Sequence, residues 1–161
     1  MIYRSYDTAL SAPEGFIEGK LFSFGKVYPS VKGFKEYIPH SCKVKFGENT
    51  LCHIAHKKDQ LSGRLGANMS LERKADGVYM RLKAVDTSFF KEAYSLVKAG
   101  ILKGLSPGFL GIPKYRNGRR EFDEIDISEV SLSGKPCYDD TYLTAREQQE
   151  ECFLPPEFYL T

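Results

Sequence analysis

Residues 75–100 read ADGVYMRLKAVDTSFFKEAYSLVKAG, and a change of hydrophobic period within this stretch indicates the fold class. From residue 77 to residue 85 apolar and polar side chains alternate, which is the period of a strand. After Thr87 the apolar residues recur at helical spacing, and Gly100 stands where a glycine commonly ends a helix. We therefore predict a strand followed by a helix over residues 88–99, with its N-cap within residues 86–88.

The sequence on both sides of this stretch is typical of short strands joined by tight turns. Asp76-Gly77 and Asn117-Gly118 are hairpin signals, because these pairs tolerate the positive φ of tight turns. The strand candidates are residues 15–27, 50–56, 64–73, 77–85, 108–115 and 119–133. The pattern predicts a mainly β domain with one or more helices (α+β), arranged as a small closed or partly open barrel or a curled sheet.

Composition limits the functional classes. The chain has 161 residues, 42% of them hydrophobic, which suits one domain with a sizeable core. The formal net charge of +2 is spread along the chain, so composition does not indicate nucleic-acid binding. No apolar run reaches the roughly 18 residues of a membrane span, and the four cysteines form no CxxC pair, so we expect free thiols and no membrane. We expect a domain over residues 1–138 and a polar extension over 139–161, either helical or self-processed.

Three residues are candidates for catalysis, although each also has a purely structural interpretation. Ser106 lies at the head of a strand, where Pro107 favours extended geometry and Gly108 leaves room for a substrate. His56 ends a hydrophobic strand. Glu129 continues the alternation of the preceding isoleucines, so a carboxylate stands where an apolar residue is expected and needs a partner such as a histidine cation.

These residue types together suit nucleophilic catalysis. A serine hydroxyl is a poor nucleophile until a base removes its proton. Histidine can do so near neutral pH, and a carboxylate can hold the histidine tautomer and stabilise the imidazolium. The sequence offers the three groups in the order His, Ser, Glu, but spacing alone does not give their distances.

The order of motifs resembles the prohead or head-maturation serine proteases of tailed phages, whose fold is shared with herpesvirus assemblin. The resemblance covers residues 15–136. It rests on the strings EGKLFSFGKV, EYIP, LCHIAH, SGRLGANMSLE, ADGVYMRLKAV, GLSPGF and DISEVSLSGKP, in that order. The string GLSPGF is the most specific of them.

The resemblance implies the site residues. His56, the last residue of LCHIAH, would be the base, with His53 as the alternative. Ser106 of GLSPGF would be the nucleophile, and Glu129 would be the third member. The alternatives for the third member are Asp126, Asp139 and Asp140.

Pro107 is a departure from the family pattern, in which an aliphatic residue often follows the serine. Because proline has no N–H, this position cannot donate to an oxyanion. By resemblance to assemblin, the oxyanion hole would come from Gly134 and Lys135, after the strand that carries the third member.

The function implied by the resemblance is a serine endopeptidase of capsid maturation that needs no cofactor. Its substrates would be the scaffold protein, the leader segment of the major capsid protein and the protease itself. It would act inside the assembling prohead in the bacterial cytoplasm, with self-association left open. The alternatives are an inactive assemblin-like scaffold or binding module, an OB-like nucleic-acid binder, and a zinc site. The zinc site would combine Cys52, His53 and His56 with Cys42 or His40.

Overall fold

The computed structural model describes residues 15–31, 33–54, 69–136 and 138–147. Within these ranges the chain forms eleven strands and one helix. In chain order they are β1 (Gly15–Ser23), β2 (Val27–Val31), β3 (Phe34–Tyr37), β4 (Lys43–Ile54), β5 (Met69–Arg73), β6 (Gly77–Lys83), α1 (Ser88–Lys98), β7 (Gly104–Leu110), β8 (Pro113–Arg116), β9 (Arg119–Phe122), β10 (Glu124–Ser133) and β11 (Tyr142–Glu147).

The strands form three sheets, with the orders β2-β3-β9-β8, β4-β10-β7 and β11-β1-β6-β5. Most pairs are antiparallel, whereas β10 runs parallel to β4 and β9 runs parallel to β3. The prediction of a mainly β chain with a helix is therefore confirmed. Among the described residues no strand pairing closes the sheets into a barrel, and the assemblin-like type stays a prediction.

The helix cap and the Asn117-Gly118 turn act as expected, whereas β5 and β6 form the expected hairpin without a positive φ at Asp76 or Gly77. The Thr87 hydroxyl accepts a hydrogen bond from the backbone N–H of Phe90 at 3.2 Å and caps α1, and Gly100 follows the helix with a φ of +75°. Asn117 and Gly118 have φ values of 54° and 72° and join β8 to β9. Both the helix and the hairpins were predictable because their signals are local.

Three predicted strands are broken in the structure, and one of them, expected over residues 108–115, stops at Leu110 and resumes as β8 at Pro113. The strand expected over residues 15–27 stops at Ser23, because the chain turns at Gly25 with a φ of 74°, and resumes as β2. The strand expected over residues 119–133 is interrupted at Asp123, whose carbonyl accepts from the N–H of Lys43 at 2.9 Å. The chain therefore changes sheets at these three points, which a period-of-two pattern alone does not reveal.

The segment after residue 138 is part of the folded sheet as far as residue 147. β11 pairs antiparallel with β1, and α1 packs against both. The Asp140 carboxylate accepts from the hydroxyls of Ser23 at 2.6 Å and Tyr28 at 2.8 Å. The described part of the expected extension is thus a strand and not a helix, while residues 148–161 lie outside the described residues.

The core lies between the sheets and is crossed by β10, the middle strand of its sheet. The helix contributes Phe90, Ala93 and Val97 to it. From β10 come four residues with 0% exposure: Ile125, Ile127, Val130 and Leu132. A central strand anchored in this way holds the strands on either side of it at a defined register.

Candidate active site

Ser106 lies in a row of polar residues that crosses the three-stranded sheet. It pairs with Ser131 of β10 in the antiparallel register, and Ser131 pairs with His53 of β4 in the parallel register. Neighbouring strands are about 4.8 Å apart, so the backbones of Ser106 and His53 are separated by about 10 Å. Ser106, Ser131 and His53 are 1%, 0% and 2% exposed, so the row is shielded from solvent.

The row lies on the face of the sheet that points away from the apolar core. Successive side chains of a strand point to opposite faces, and paired residues share a face. Leu105 and Leu132 are paired and fully buried in the core, so their neighbours Ser106 and Ser131 face the other way. We call this side, with His53, Ser106, Glu129 and Ser131, the polar face.

Glu129 reaches the polar face because of a bulge in β10. The register of β10 against both neighbours shifts between Ile127 and Glu129, which leaves Ser128 as an extra residue. The series of core-facing residues that includes Ile127 therefore continues at Val130 and not at Glu129. The expectation that Glu129 shares a face with Ile125 and Ile127 was wrong, because a bulge reverses the alternation.

Gly108 provides the space for the Glu129 side chain. The two residues are paired across β7 and β10, and a Cβ on Gly108 would lie 2.7 Å from Cγ of Glu129. The Ser128 hydroxyl donates to the Gly108 carbonyl at 3.2 Å, which joins the bulge to the same position of β7. The glycine was predicted to make room for a substrate; in the structure it makes room for the carboxylate.

His53 is the histidine that the described residues bring to Glu129. Its Nε2 atom lies 3.9 Å from Oε2 of Glu129, beyond hydrogen-bond distance. Within the part of the chain that the structure describes, neither ring nitrogen of His53 has a hydrogen-bond partner. His56, the predicted base, lies outside the described residues, so its position relative to Ser106 stays a prediction.

The predicted oxyanion segment follows β10 directly. The Lys135 N–H donates to the Ser133 hydroxyl at 3.0 Å, so in this state it is engaged within its own turn. A Cβ on Gly134 would lie 2.8 Å from the Ile101 carbonyl oxygen, which is backbone and cannot swing away. Replacing Gly134 by valine would therefore disturb the fold as well as any oxyanion hole.

Two of the alternative carboxylates are bound elsewhere. Asp139 pairs with Lys26 at 2.8 Å, and Asp140 accepts from Ser23 and Tyr28. Asp126 precedes the bulge in β10 and pairs with Leu110 of β7 and Lys45 of β4. Of the four carboxylates considered, Glu129 is the one in ion-pair range of a described histidine.

The cysteines do not join His53 in a shared metal site. Cys52 is 0% exposed and packs in the core, whereas His53, the next residue of the strand, lies on the polar face. Burial raises the pKa of the Cys52 thiol to about 12 and that of Cys42 to about 11. Among the described residues no group of three potential ligands is close enough to hold a metal ion.

Sequence reasoning did not single out Ser131. A signal for it was present, because Glu129, Ser131 and Ser133 alternate with Val130 and with Leu132 in EVSLS. That alternation predicts a polar face, and only the register shows that Ser131 separates Ser106 from His53.

A mostly β domain with a serine, a histidine and a carboxylate on one sheet face defines a candidate serine hydrolase. The helix in the described part of the chain is not long and apolar enough to cross a membrane. A family model described as caudovirus prohead serine protease matches residues 4–154. The chain belongs to this family of serine peptidases, and the resemblance seen in its motifs is confirmed. No curated protein and no solved structure matches the chain.

Proposed function

We propose that the chain is a prohead maturation endopeptidase that cleaves through an acyl-enzyme on Ser106, with His56 as the base and Glu129 as the group that orients it. Membership of the prohead serine protease family supports the reaction class. The observation that supports the residues is that Ser106 and Glu129 share the polar face on adjacent strands, two residues apart in register. Such diagonal neighbours are about 7–8 Å apart, a gap that one imidazole can bridge.

The reaction runs in two halves. His56 removes the proton from the Ser106 hydroxyl, and the oxygen attacks the carbonyl carbon of the scissile peptide. His56 then passes that proton to the departing amine, which leaves an ester on Ser106. In the second half His56 deprotonates a water molecule, which hydrolyses the ester and restores the serine.

The negative charge of each tetrahedral intermediate requires donors. Pro107 has no N–H to offer, so we assign this role to the backbone at Gly134 and Lys135. Because Ser133 holds the Lys135 N–H at 3.0 Å, the donor must be released before it can serve. An enzyme that is inactive until it is assembled would have this property.

Family membership supports capsid-related substrates in general. We propose that they are the scaffold protein, the leader segment of the major capsid protein and the protease itself, all within the prohead that assembles in the host. Self-cleavage would remove the C-terminal tail. No cofactor takes part in this chemistry.

The test is intact-mass analysis after exposure of the full chain to a fluorophosphonate, which reacts with activated serines. Wild type should gain one adduct, while Ser106→Ala and His56→Ala should gain none. The matched control is Ser95→Ala, which removes an exposed serine of α1 and should label like wild type. Equal labelling of wild type and Ser106→Ala would refute Ser106 as the nucleophile.

If wild type stays unlabelled, the same variants are assayed in cells that assemble proheads with the capsid and scaffold proteins of the same phage. Cleavage of those proteins by wild type but not by Ser106→Ala would support a latent enzyme. Assembly with no cleavage by either would favour the alternative, an inactive scaffold or binding module of the procapsid.

A further inference from the structure

His53 is a buried polar side chain for which the proposed mechanism has no use. It is 2% exposed, and neither of its ring nitrogens has a hydrogen-bond partner within the described residues. A buried polar group without a partner costs about 1–3 kcal/mol, so such a group needs an explanation. His56, three residues later, is the base in the proposed function.

The geometry does not make His53 a base for Ser106. Ser131 stands between them in the row, and their backbones are two strand spacings, about 10 Å, apart. The group nearest to the His53 ring is instead the Glu129 carboxylate, with 3.9 Å between Nε2 and Oε2. To form a hydrogen bond, Nε2 of His53 and Oε2 of Glu129 must come about 1 Å closer together.

Other charged groups on this face lie further along the sheet. Asp126, Glu124 and Lys45 precede the bulge, and Lys45 pairs with Glu124 at 2.8 Å. At the opposite end, Lys103 and Lys135 are exposed to solvent. Opposite Glu129 on β7 stands Gly108, which carries no charge. Glu129 is therefore the described ionisable group closest to His53 on the polar face.

We infer that His53 is a positioning residue, which donates from Nε2 to the Glu129 carboxylate and so fixes the orientation of that carboxylate on the polar face. The inference rests on the proposed function. Gly108 leaves room for the Glu129 side chain on one side, and His53 limits its movement on the side of β4. Residues that orient a catalytic group in this way commonly change activity by 10-fold to 100-fold when removed.

The first test does not depend on activity. The chain has three histidines, so the full-length protein labelled with ¹⁵N-histidine gives three imidazole signals, assigned with His40→Asn, His53→Gln and His56→Gln. If His53 donates to Glu129, Glu129→Gln should shift the Nε2 resonance of His53 and leave the resonances of His40 unchanged. The control Glu124→Gln, on the same strand but on the other side of the bulge, should leave the His53 resonances unchanged. His53 resonances that are the same in Glu129→Gln and wild type would overturn the inference.

The second test separates positioning from packing. Glutamine carries its amide nitrogen at about the reach of the histidine Nε2, whereas asparagine reaches only as far as Nδ1. His53→Gln should label Ser106 with a fluorophosphonate within about threefold of wild type, and His53→Asn should label at least tenfold more slowly. The pH dependence of labelling should change only in the asparagine variant. Equal rates and pH profiles for both variants and wild type would overturn the inference.

Failure of this inference can be told apart from failure of the proposed function. If both His53 variants lose labelling while His56→Ala keeps it, His53 is the base and the positioning role is wrong. If wild type does not label, the proposed function is in doubt, but the His53 resonances still decide whether His53 donates to Glu129.

Discussion

Gly108 and Glu129 face each other across two strands, and the glycine has no side chain where the glutamate side chain passes. A Cβ at residue 108 would lie 2.7 Å from Cγ and 3.2 Å from Cδ of Glu129. Contacts below 3.0 Å require movement, and here the flexible glutamate side chain can move while the backbone stays. The position of the carboxylate therefore depends on a residue that carries no functional group.

We expect Gly108→Ala to move the Glu129 carboxylate by about 1 Å and to slow fluorophosphonate labelling of Ser106 by about 10-fold to 100-fold. Its thermal unfolding should stay close to that of wild type. The control is Gly118→Ala, at a turn with a φ of 72° and no heavy atom within 4 Å of the added Cβ. It should lower the stability by about 1 kcal/mol and leave labelling unchanged. Unchanged labelling of Gly108→Ala would contradict a role for the Glu129 position.

Ser133→Ala should speed labelling of Ser106 by about threefold to tenfold. The substitution removes the hydroxyl that accepts from the Lys135 N–H at 3.0 Å, a hydrogen bond worth about 1 kcal/mol, and frees the N–H for an oxyanion. Labelling rates at a fixed probe concentration measure the effect. A rate equal to or below that of wild type would count against Lys135 as an oxyanion donor.

Arg120→Met should lower the free energy of unfolding by about 3 kcal/mol, because it leaves the Glu36 carboxylate buried without its cation. Glu36 is 4% exposed, accepts from Nε of Arg120 at 3.0 Å, and also accepts from the Tyr138 hydroxyl at 2.7 Å. Urea unfolding followed by circular dichroism measures the loss.

The control for this change is Lys45→Met on β4. Lys45 pairs with Glu124 at 2.8 Å, but 63% and 50% of the two side chains are exposed. The loss there should stay below about 1 kcal/mol, as for other surface pairs. Equal losses in the two variants would show that burial of Glu36 does not govern the effect.

Cys42 and Cys52 should resist iodoacetamide at pH 8 in the folded protein and react after unfolding, as read by peptide mass mapping. Both are buried, and burial raises their pKa values to about 11 and about 12, so very little reactive thiolate is present. The folded pKa of Cys52 is above its unfolded value of 9.0. Burial of the neutral Cys52 thiol therefore contributes fully to stability below about pH 9, and this contribution is lost as the pH rises towards 12. Rapid alkylation of either cysteine at pH 8 would contradict this burial.

Removal of residues 139–161 should destabilise the fold much more than removal of residues 148–161. The longer deletion takes away β11 and with it Asp140 and Thr141. Thr141 accepts from the Leu105 N–H at 2.8 Å and donates to the Lys20 carbonyl, so it joins β7 to β1. Thermal unfolding of the two truncated proteins measures the difference. We therefore expect any self-processed form that remains active to end at or after residue 147.

The fold elements that could be predicted are those with local causes. The helix from Ser88 follows from its cap and its period, and the turn at Asn117-Gly118 follows from the positive φ that these residues tolerate. The strand breaks at Gly25, between Leu110 and Pro113, and at Asp123 were missed, because each depends on which sheet the next strand joins.

The candidate site was predictable only as a set of residue types. Ser106 and Glu129 were identified from their motifs, but the face on which Glu129 lies was predicted wrongly. A bulge at Ser128 has no strong sequence signal, since any residue can occupy it. His53 was considered only as an alternative base.

From the sequence alone, the chain is a mainly β serine peptidase of the prohead family, because local periods, turn residues and motif order are properties of neighbouring residues. The tertiary structure decided that Ser106, Ser131 and His53 form one row and that Glu129 turns towards His53 over Gly108. Those relationships join residues about 20 to 80 positions apart. They depend on strand register, and the packing of β10 between β4 and β7 sets that register.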